Sequence, residues 1–251
     1  MEIESTATGD KLPSGRIHQR LFRVFGLTET EVNRRVAALP LPDGVRIDCY
    51  PAFPDIHLNL ALQPRAGSDG DTVFVRAQAM IEAALGEAIY GYDQESLAMV
   101  VGRLLLAKNW TLATAESCTG GMIGQWLTAV AGSSAWYQGG VISYANRVKE
   151  EVLVVPTAML AAHGAVSGEV AKAMAVGVRR LCRADLAIAV TGIAGPDGGG
   201  PKKPVGTVYI SLANAEGARA ERFLFSGDRR RIREVSAQTA LNMVRKGLLA
   251  L

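Results

Sequence analysis

The sequence has few of the residues that form disulfide frameworks and metal sites. Its 251 residues include three cysteines and three histidines. The cysteines form no CxxC pair and the histidines form no HExxH motif; they are Cys49, Cys118, Cys182, His18, His57 and His163. Disulfide scaffolds and cysteine-based zinc sites need paired cysteines at short spacings. We therefore predict no disulfide framework and no metal site, and we expect no cofactor.

The sequence also has no long apolar run. No uninterrupted stretch approaches the roughly 20 apolar residues that a membrane-spanning helix needs. The N-terminus, MEIESTATGDKLPSG, is polar and acidic, whereas a secretory signal is basic and then apolar. Because it has no apolar period, we predict a flexible leader over residues 1–15. The expected protein is cytoplasmic, with no membrane partner.

Charge is distributed unevenly along the chain, although the net charge is only +3. Residues 1–95 carry 9 Lys and Arg against 14 Asp and Glu, whereas residues 96–251 carry 18 against 10. A basic region suits a small anionic ligand such as a nucleotide. The acidic region argues against a nucleic-acid-binding module in the first part of the chain.

Hydrophobic periodicity divides the sequence near residue 95. Residues 16–94 show strand and helix patterns, with two alternating segments at VRIDCYPAF and DIHLNLALQ, which predicts a small α+β module. Residues 95–251 alternate helix and strand, and the apolar run LAIAV is typical of a sheet covered on both faces. We predict an α/β fold, a helix-flanked mixed β-sheet domain preceded by the α+β module.

The first candidate site is the stretch TLATAESCTGGMIG, from Thr111 to Gly124. Its pattern predicts a strand, a tight turn and a helix start, which places the Ser117 hydroxyl beside unpaired backbone N–H groups. Such a point can bind an anion or serve as an oxyanion hole beside a nucleophile. The alternative is an ordinary turn that uses Ser, Thr and Gly as capping and flexible residues.

Lys149 is the candidate base for Ser117. A lysine activates a hydroxyl only if burial or nearby cations lower its pKa from about 10.4 toward about 7–8. Tyr144, at the end of the strand before Lys149, is a candidate for relaying a proton or holding the lysine. Asn146 is expected to donate to a substrate carbonyl or to cap the following helix. A solvated Lys149 at a helix start is the alternative.

Two later segments predict binding groups. The loop Thr191-Gly192-Ile193-Ala194-Gly195-Pro196 follows an apolar strand, and its glycines allow close approach of a ligand. In Ser226-Gly227-Asp228-Arg229, Asp228 is the expected N-cap of the last helix, and Arg229 to Arg231 with Arg233 supply guanidinium groups suited to bidentate phosphate binding. Together with Ser117 and Lys149, and brought to one edge of one sheet, these groups predict a pocket for an anionic ligand that carries a reactive carbonyl.

A literal GxxG motif, Gly67-Ser68-Asp69-Gly70, invites comparison with the RNA-binding loops of KH modules. Asp69 and the following Asp71 make this loop acidic, and an acidic loop repels phosphate. We therefore predict no nucleic-acid partner, while RNA or DNA binding by the first module stays open as an alternative.

Several motifs together resemble the CinA family, in particular its C-terminal nicotinamide mononucleotide deamidase domain. They are TAESCTGG at 114–121, AGSSAWYQGGVISYANRVK at 131–149, HGAVS at 163–167, TGIAGPDGG at 191–199, KPVGTVY at 203–209 and GDR at 227–229. Residues 16–94 resemble the KH-type middle module of full-length members, more loosely. We expect no counterpart here of the molybdopterin-binding-like N-terminal domain of those members, so we do not extend the resemblance to its pyrophosphatase activity.

The resemblance implies an amidohydrolase that converts nicotinamide mononucleotide to nicotinate mononucleotide and ammonia in pyridine nucleotide recycling. It implies Ser117 as nucleophile, Lys149 as its base and Tyr144 as a supporting group. The candidate substrate-binding residues are Thr119, Gly120, Gly121, Asn146, Thr191, Gly192, Ala194, Gly195 and Arg229. Cys118 is the rival nucleophile, since a thiolate at a helix start is readily activated. A non-catalytic nucleotide-binding or scaffold member is the alternative function, and a symmetric homo-oligomer is expected.

Overall fold

The computed structural model describes residues 18–64 and 69–250. The predicted leader over residues 1–15 and the first two residues of the GxxG motif lie outside the described residues. The chain separates into two compact units, with the boundary between Gln94 and Glu95. Among the described residues, no helix is long and apolar enough to cross a bilayer, and no group of three or more His, Cys, Asp and Glu could hold a metal ion.

The first unit is a four-stranded antiparallel sheet packed against two helices. Its elements are β1 (His18–Val24), α1 (Glu29–Ala37), β2 (Val45–Ala52), β3 (Asp55–Leu62), α2 (Gly70–Leu85) and β4 (Ile89–Tyr92), with strand order β2-β3-β1-β4. Every second residue of β3 is buried, as the alternating pattern predicts, and these side chains join Phe22, Val32 and Ile81 in one core. The observed elements are those of an α+β module.

The second unit is a five-stranded mixed sheet with helices on both faces. Its elements are α3 (Leu97–Lys108), β5 (Leu112–Glu116), α4 (Met122–Thr128), β6 (Tyr137–Ile142), α5 (Asn146–Glu151), α6 (Thr157–His163), α7 (Gly168–Leu181), β7 (Leu186–Gly192), β8 (Thr207–Ala213), β9 (Ala218–Leu224) and α8 (Arg229–Leu249). In the order β6-β5-β7-β8-β9, the first three strands are parallel and the last two antiparallel. The α/β prediction is confirmed.

Burial explains the apolar run of β7. Leu186, Ala187, Ile188, Ala189 and Val190 are all buried at the centre of the sheet. The small residues Ala187 and Ala189 pack with α7, while α8 covers β7 and β8, with its Gly247 against Leu212. Because both faces are covered, neither set of alternating side chains meets water.

The three parallel strands bring the candidate residues to one sheet edge. Ser117 N donates to Val190 O at 2.9 Å, and Ser143 N donates to Glu116 O at 2.8 Å. The chain therefore continues in register beyond the ends of β5 and β6. Ser117 lies between Ser143 on one side and Thr191 on the other, at the carboxyl ends of the strands, where ligands of open α/β sheets bind.

Gly206, just before β8, lies so close to the neighbouring backbone that a larger residue there should destabilise the fold. Its φ is +91°, a Cβ there would overlap the carbonyl oxygen of Phe225, and its own N–H donates to Ile193 O at 2.8 Å. We expect Gly206→Ala to lower the free energy of unfolding by about 2–4 kcal/mol, through backbone strain and steric overlap. Denaturant unfolding measures this. Gly200→Ala is the matched control, since a Cβ there meets open space; equal unfolding midpoints for the two variants would contradict the expectation.

Candidate active site

The serine turn, residues 116–121, connects β5 to α4 through two glycines in the left-handed region. Gly120 has φ +62° and Gly121 has φ +92°, conformations that other residues rarely adopt. A Cβ on Gly121 would also lie 2.9 Å from Ile142 Cδ1. Backbone conformation and packing thus account for these two predicted substrate-binding residues, and the predicted strand, turn and helix start are present.

Glu116 fills the helix start that the sequence suggested for an anion. Its buried carboxylate, only 2% exposed, accepts from Gly121 N at 2.9 Å, Ile123 N at 3.1 Å and Gly124 N at 2.9 Å. These three N–H groups are therefore not open to a ligand anion, which was one of the uses that the sequence left open, because the chain supplies its own carboxylate. The available signal was an acidic residue at the end of an otherwise apolar strand.

The Glu116 contacts predict a large loss of stability on truncation. Glu116→Ala leaves three N–H groups at the start of α4 without their acceptor, and we expect the free energy of unfolding to fall by about 3–5 kcal/mol. Denaturant unfolding followed by circular dichroism measures it. Glu151→Ala is the control, because its ion pair with Arg147 is exposed and such i,i+4 pairs contribute about 0.3–0.5 kcal/mol. Similar losses in both variants would refute the capping role.

Two other N–H groups of the turn, those of Cys118 and Thr119, lie near the Cys118 thiol. Gly120 N donates to Ser117 O at 3.1 Å and is therefore occupied. Within residues 18–64 and 69–250, the N–H groups of Cys118 and Thr119 donate to no backbone carbonyl. The hydroxyl of Thr119, another predicted binding residue, is buried and has no partner in the same described part of the chain. Cys118 N and Thr119 N are therefore the candidate backbone donors to an oxyanion in this turn.

Ser117 and Lys149 meet although 32 residues separate them in the chain. Lys149 Nζ lies 3.3 Å from Ser117 Oγ and also donates to the carbonyl oxygens of Ser143 and Tyr144. The Lys149 side chain is 1% exposed, and burial lowers its pKa, with the Cys118 thiol acting in the opposite direction. A neutral amine has two N–H groups and one lone pair. If the two carbonyls take these N–H groups, the lone pair is left for the serine proton, whereas the charged amine donates to all three oxygens.

Cys118 is the weaker nucleophile candidate. It is 5% exposed, and burial raises the pKa of its thiol to about 12, helped by the charge of Glu116 and opposed by nearby backbone N–H groups and Arg233. The thiolate, which is the reactive form of cysteine, is therefore scarce near neutral pH. Ser117, which is only partly buried and lies beside the amine, is better placed to react.

Tyr144 contacts Lys149 through its backbone rather than through its phenol. The carbonyl oxygen accepts from Lys149, whereas the phenol oxygen accepts from an Arg229 terminal nitrogen at 3.1 Å, and the side chain is 62% exposed. The other terminal nitrogen of Arg229 donates to Gly195 O at 2.7 Å. The structure thus joins three predicted residues, Tyr144, Arg229 and Gly195, at the rim of the site.

Asn146 does not cap its helix. It is the first residue of α5 and is exposed, while Ala145 is the N-cap and no side chain caps this helix start. The expectation of a capping role is therefore wrong. A cap residue precedes the first helical residue, whereas Asn146 is itself the first residue of α5.

The remaining predicted binding residues are held by protein contacts. Thr191 lies beside Ser117, but its buried hydroxyl donates to Ala165 O at 2.8 Å. A Cβ on Gly192 would lie 2.7 Å from Val208 Cγ2, so glycine there allows β8 to approach. Ala194 is buried. The contacts of these three residues fix the loop after β7 in place.

Arg233, a predicted phosphate-binding residue, instead donates to carbonyls of the serine turn. From α8, its Nε donates to Cys118 O at 3.1 Å and a terminal nitrogen donates to Thr119 O at 2.8 Å. Asp228 caps the start of the same helix, as predicted, by accepting from Arg231 N at 2.8 Å. Arg229 and Arg233 are four residues apart and so share one helix face.

Comparisons with known proteins show the family of this chain. The family described as CinA C-terminal domain matches residues 94–248. A CinA-like protein from Desulfotalea psychrophila is 47% identical over 92% of the chain, and one from Geobacter sulfurreducens is 44% identical over 91%. The chain spans about 56% of the length of each of these relatives.

Two solved structures each match 62% of this chain. A CinA superfamily protein from Klebsiella pneumoniae is 36% identical with a TM-score of 0.60, over 62% of this chain and 97% of that one. A competence/damage inducible protein from Agrobacterium tumefaciens is 37% identical with a TM-score of 0.57, over 62% and 97%. These similarities agree with the fold described above.

Proposed function

Since the chain belongs to the CinA family, we propose that it is an amidohydrolase that converts nicotinamide mononucleotide to nicotinate mononucleotide and ammonia. The observation that carries the proposal is the 3.3 Å approach of the buried Lys149 amine to the Ser117 hydroxyl. An amide carbonyl needs an activated nucleophile, and a buried lysine with a lowered pKa supplies the base. The proposed role is in pyridine nucleotide recycling in the cytoplasm.

The first half of the reaction forms an acyl-enzyme. Lys149 Nζ takes the Ser117 proton, Ser117 Oγ attacks the carboxamide carbon, and the oxyanion accepts from the N–H groups of Cys118 and Thr119. Lys149 then gives its proton to the amide nitrogen, the C–N bond breaks and ammonia leaves. The pyridinium ring of the substrate is cationic, and its charge opposes protonation of the nearby lysine.

The second half returns the enzyme to its starting state. Lys149 takes a proton from water, the hydroxide attacks the acyl carbon, and the ester bond to Ser117 Oγ breaks as Lys149 returns the proton to that oxygen. Arg229 is the candidate for binding the substrate phosphate. Its contacts with Gly195 and Tyr144 use one N–H of each terminal nitrogen. A guanidinium has five N–H donors, so others are left for a phosphate.

Ammonia release from nicotinamide mononucleotide by the purified chain tests the proposal. We expect ammonia and nicotinate mononucleotide in equal amounts, and much slower turnover of the riboside, which has no phosphate for Arg229. A protein that binds the nucleotide but releases no ammonia would instead be the non-catalytic nucleotide-binding member. Nicotinate mononucleotide, which has no carboxamide, is the control for ammonia from other sources.

A further inference from the structure

An apolar groove runs along the outer side of α7, between this helix and the connection from α5 to α6. Its volume is about 730 Å³, and neither Ser117 nor Lys149 lines it. Two large apolar side chains that line it are exposed: Val154 in the connection, at 78%, and Leu181 at the end of α7, at 53%. Contiguous exposed apolar side chains beside polar ones commonly mark a surface that binds another protein.

Val154 has a second cost besides its exposure. Its φ is +56°, in the left-handed region that β-branched residues rarely adopt. Close packing fixes the connection in this position, since a Cβ on Gly177 of α7 would overlap the Leu153 carbonyl oxygen. The chain therefore holds an apolar side chain in water and in an unfavourable backbone conformation. A contact that buries Val154 would offset part of this cost.

A stripe of four α7 residues lines the same groove. They are Glu169, Ala173, Val176 and Arg180, and their spacings of four, three and four place them on one helix face. All four side chains are at least partly exposed. The stripe thus has an acidic residue at one end, a basic residue at the other and two apolar residues between them.

The stripe is symmetric about its own midpoint. Glu169 and Arg180 lie equally far from this point along the helix, and so do Ala173 and Val176. If two copies of α7 pack antiparallel about a two-fold axis at the midpoint, each Glu169 lies opposite Arg180 of the other copy. Each Ala173 then lies opposite Val176, so a small side chain meets a larger one. One two-fold axis therefore satisfies both the charges and the apolar pair.

The charged ends of the stripe are available for such contacts. Arg180 is exposed, and within residues 18–64 and 69–250 it forms no hydrogen bond or ion pair. The Glu169 side chain is half exposed, and its ion pair with the exposed His163 is long, at 3.8 Å. Neither charged group would have to leave a short ion pair within its own chain to meet a second copy.

We propose that this face of α7 is the interface of a two-fold symmetric homodimer. The α7 helices of the two copies pack antiparallel, Glu169 of each copy pairs with Arg180 of the other, and Ala173 packs against Val176. The groove beside the stripe buries the exposed Val154 in the same contact. The dimer is independent of the proposed reaction, because no catalytic residue takes part in it.

Charge reversal tests the paired ends of the stripe. Sedimentation velocity of the full chain at concentrations up to about 100 μM is expected to show a dimer. Glu169→Arg and Arg180→Glu should each raise the dimer dissociation constant at least about 10-fold, since each places like charges opposite one another at two symmetric positions. Both substitutions in one chain should return the constant to within about threefold of the wild-type value, because opposite charges meet again.

Two further variants complete the test. Val154→Asn should raise the dissociation constant about 10-fold through loss of an apolar contact, while the fold is retained, since asparagine adopts the left-handed region more readily than valine. Glu216→Arg is the matched control. It makes the same charge change as Glu169→Arg at an exposed residue between β8 and β9, and we expect an unchanged dissociation constant. Circular dichroism checks that each variant is folded.

The alternative explanation for the two charges is that they only complement the dipole of α7, since acidic residues favour a helix start and basic residues a helix end. That explanation predicts that the double reversal is the least stable variant and restores no dimer. The proposal is overturned by that result. It is also overturned by a wild-type chain that stays monomeric at about 100 μM, and by a dimer whose dissociation constant neither the single reversals nor Val154→Asn changes.

Discussion

Replacing Ser117 with alanine is expected to lower kcat/KM for nicotinamide mononucleotide by at least about 10³-fold, with the fold retained. Loss of a nucleophile removes the covalent route, and the remaining catalysis comes from binding and the oxyanion donors alone. Ser117 Oγ is partly accessible and contacts Lys149, so its removal disturbs little packing. Steady-state ammonia release measures activity, and circular dichroism checks the fold.

Cys118→Ala is the control for this result. Burial raises the pKa of the Cys118 thiol to about 12, so we expect the variant to keep activity within a few-fold of the wild type. The thiol is only one residue from Ser117, which makes the two substitutions closely matched in position. The reverse pattern, an active Ser117→Ala and an inactive Cys118→Ala, would reassign the nucleophile.

Lys149→Met is expected to lower kcat by about 10²- to 10⁴-fold, the range of general acid–base catalysis. Methionine fills a similar volume without a proton acceptor. Lys149→Arg is expected to be equally inactive, because a guanidinium stays protonated and cannot act as a base. Substantial activity in either variant would contradict the role of Lys149.

The pH dependence provides a second test of Lys149. Because burial lowers its pKa, the amine is charged and inactive below that pKa, and the rate should rise with pH through a limb that lies below the ordinary range of lysine. Between the folded and unfolded pKa values the unfolded chain binds more protons, so stability should also rise with pH there. Lys149→Met should lose this rise in stability, which unfolding at several pH values measures.

The fold was predictable where periodicity and burial agree. The continuous apolar run of β7 requires cover on both faces, and the alternation in β3 requires cover on one, and both are observed. The convergence of Ser117 and Lys149 was also predictable. Parallel strands carry their carboxyl ends to one edge, and each residue follows a strand that ends there.

The contacts of Glu116 with the start of α4 and of Arg233 with the serine turn were not predictable, since they depend on side-chain directions. The amino-acid sequence does not show that the Glu116 side chain accepts from N–H groups at the start of α4. Nor does it show that Arg233 donates to the carbonyl oxygens of Thr119 and Cys118, 114 and 115 residues earlier in the chain. The same limit explains Tyr144, whose phenol meets Arg229 because residues after a strand can point to either side. Tertiary geometry selects among such directions, and sequence spacing does not.

The two guanidinium groups on α8 connect that helix to two loops of the site. Arg233 donates to two carbonyls of the serine turn and Arg229 donates to Gly195 O in the loop after β7. Moving either loop away from α8 would therefore break hydrogen bonds from a charged group. Rotation of the exposed Tyr144 ring breaks only its one contact with Arg229. The side chain of Tyr144 can therefore change position at lower energy than either loop.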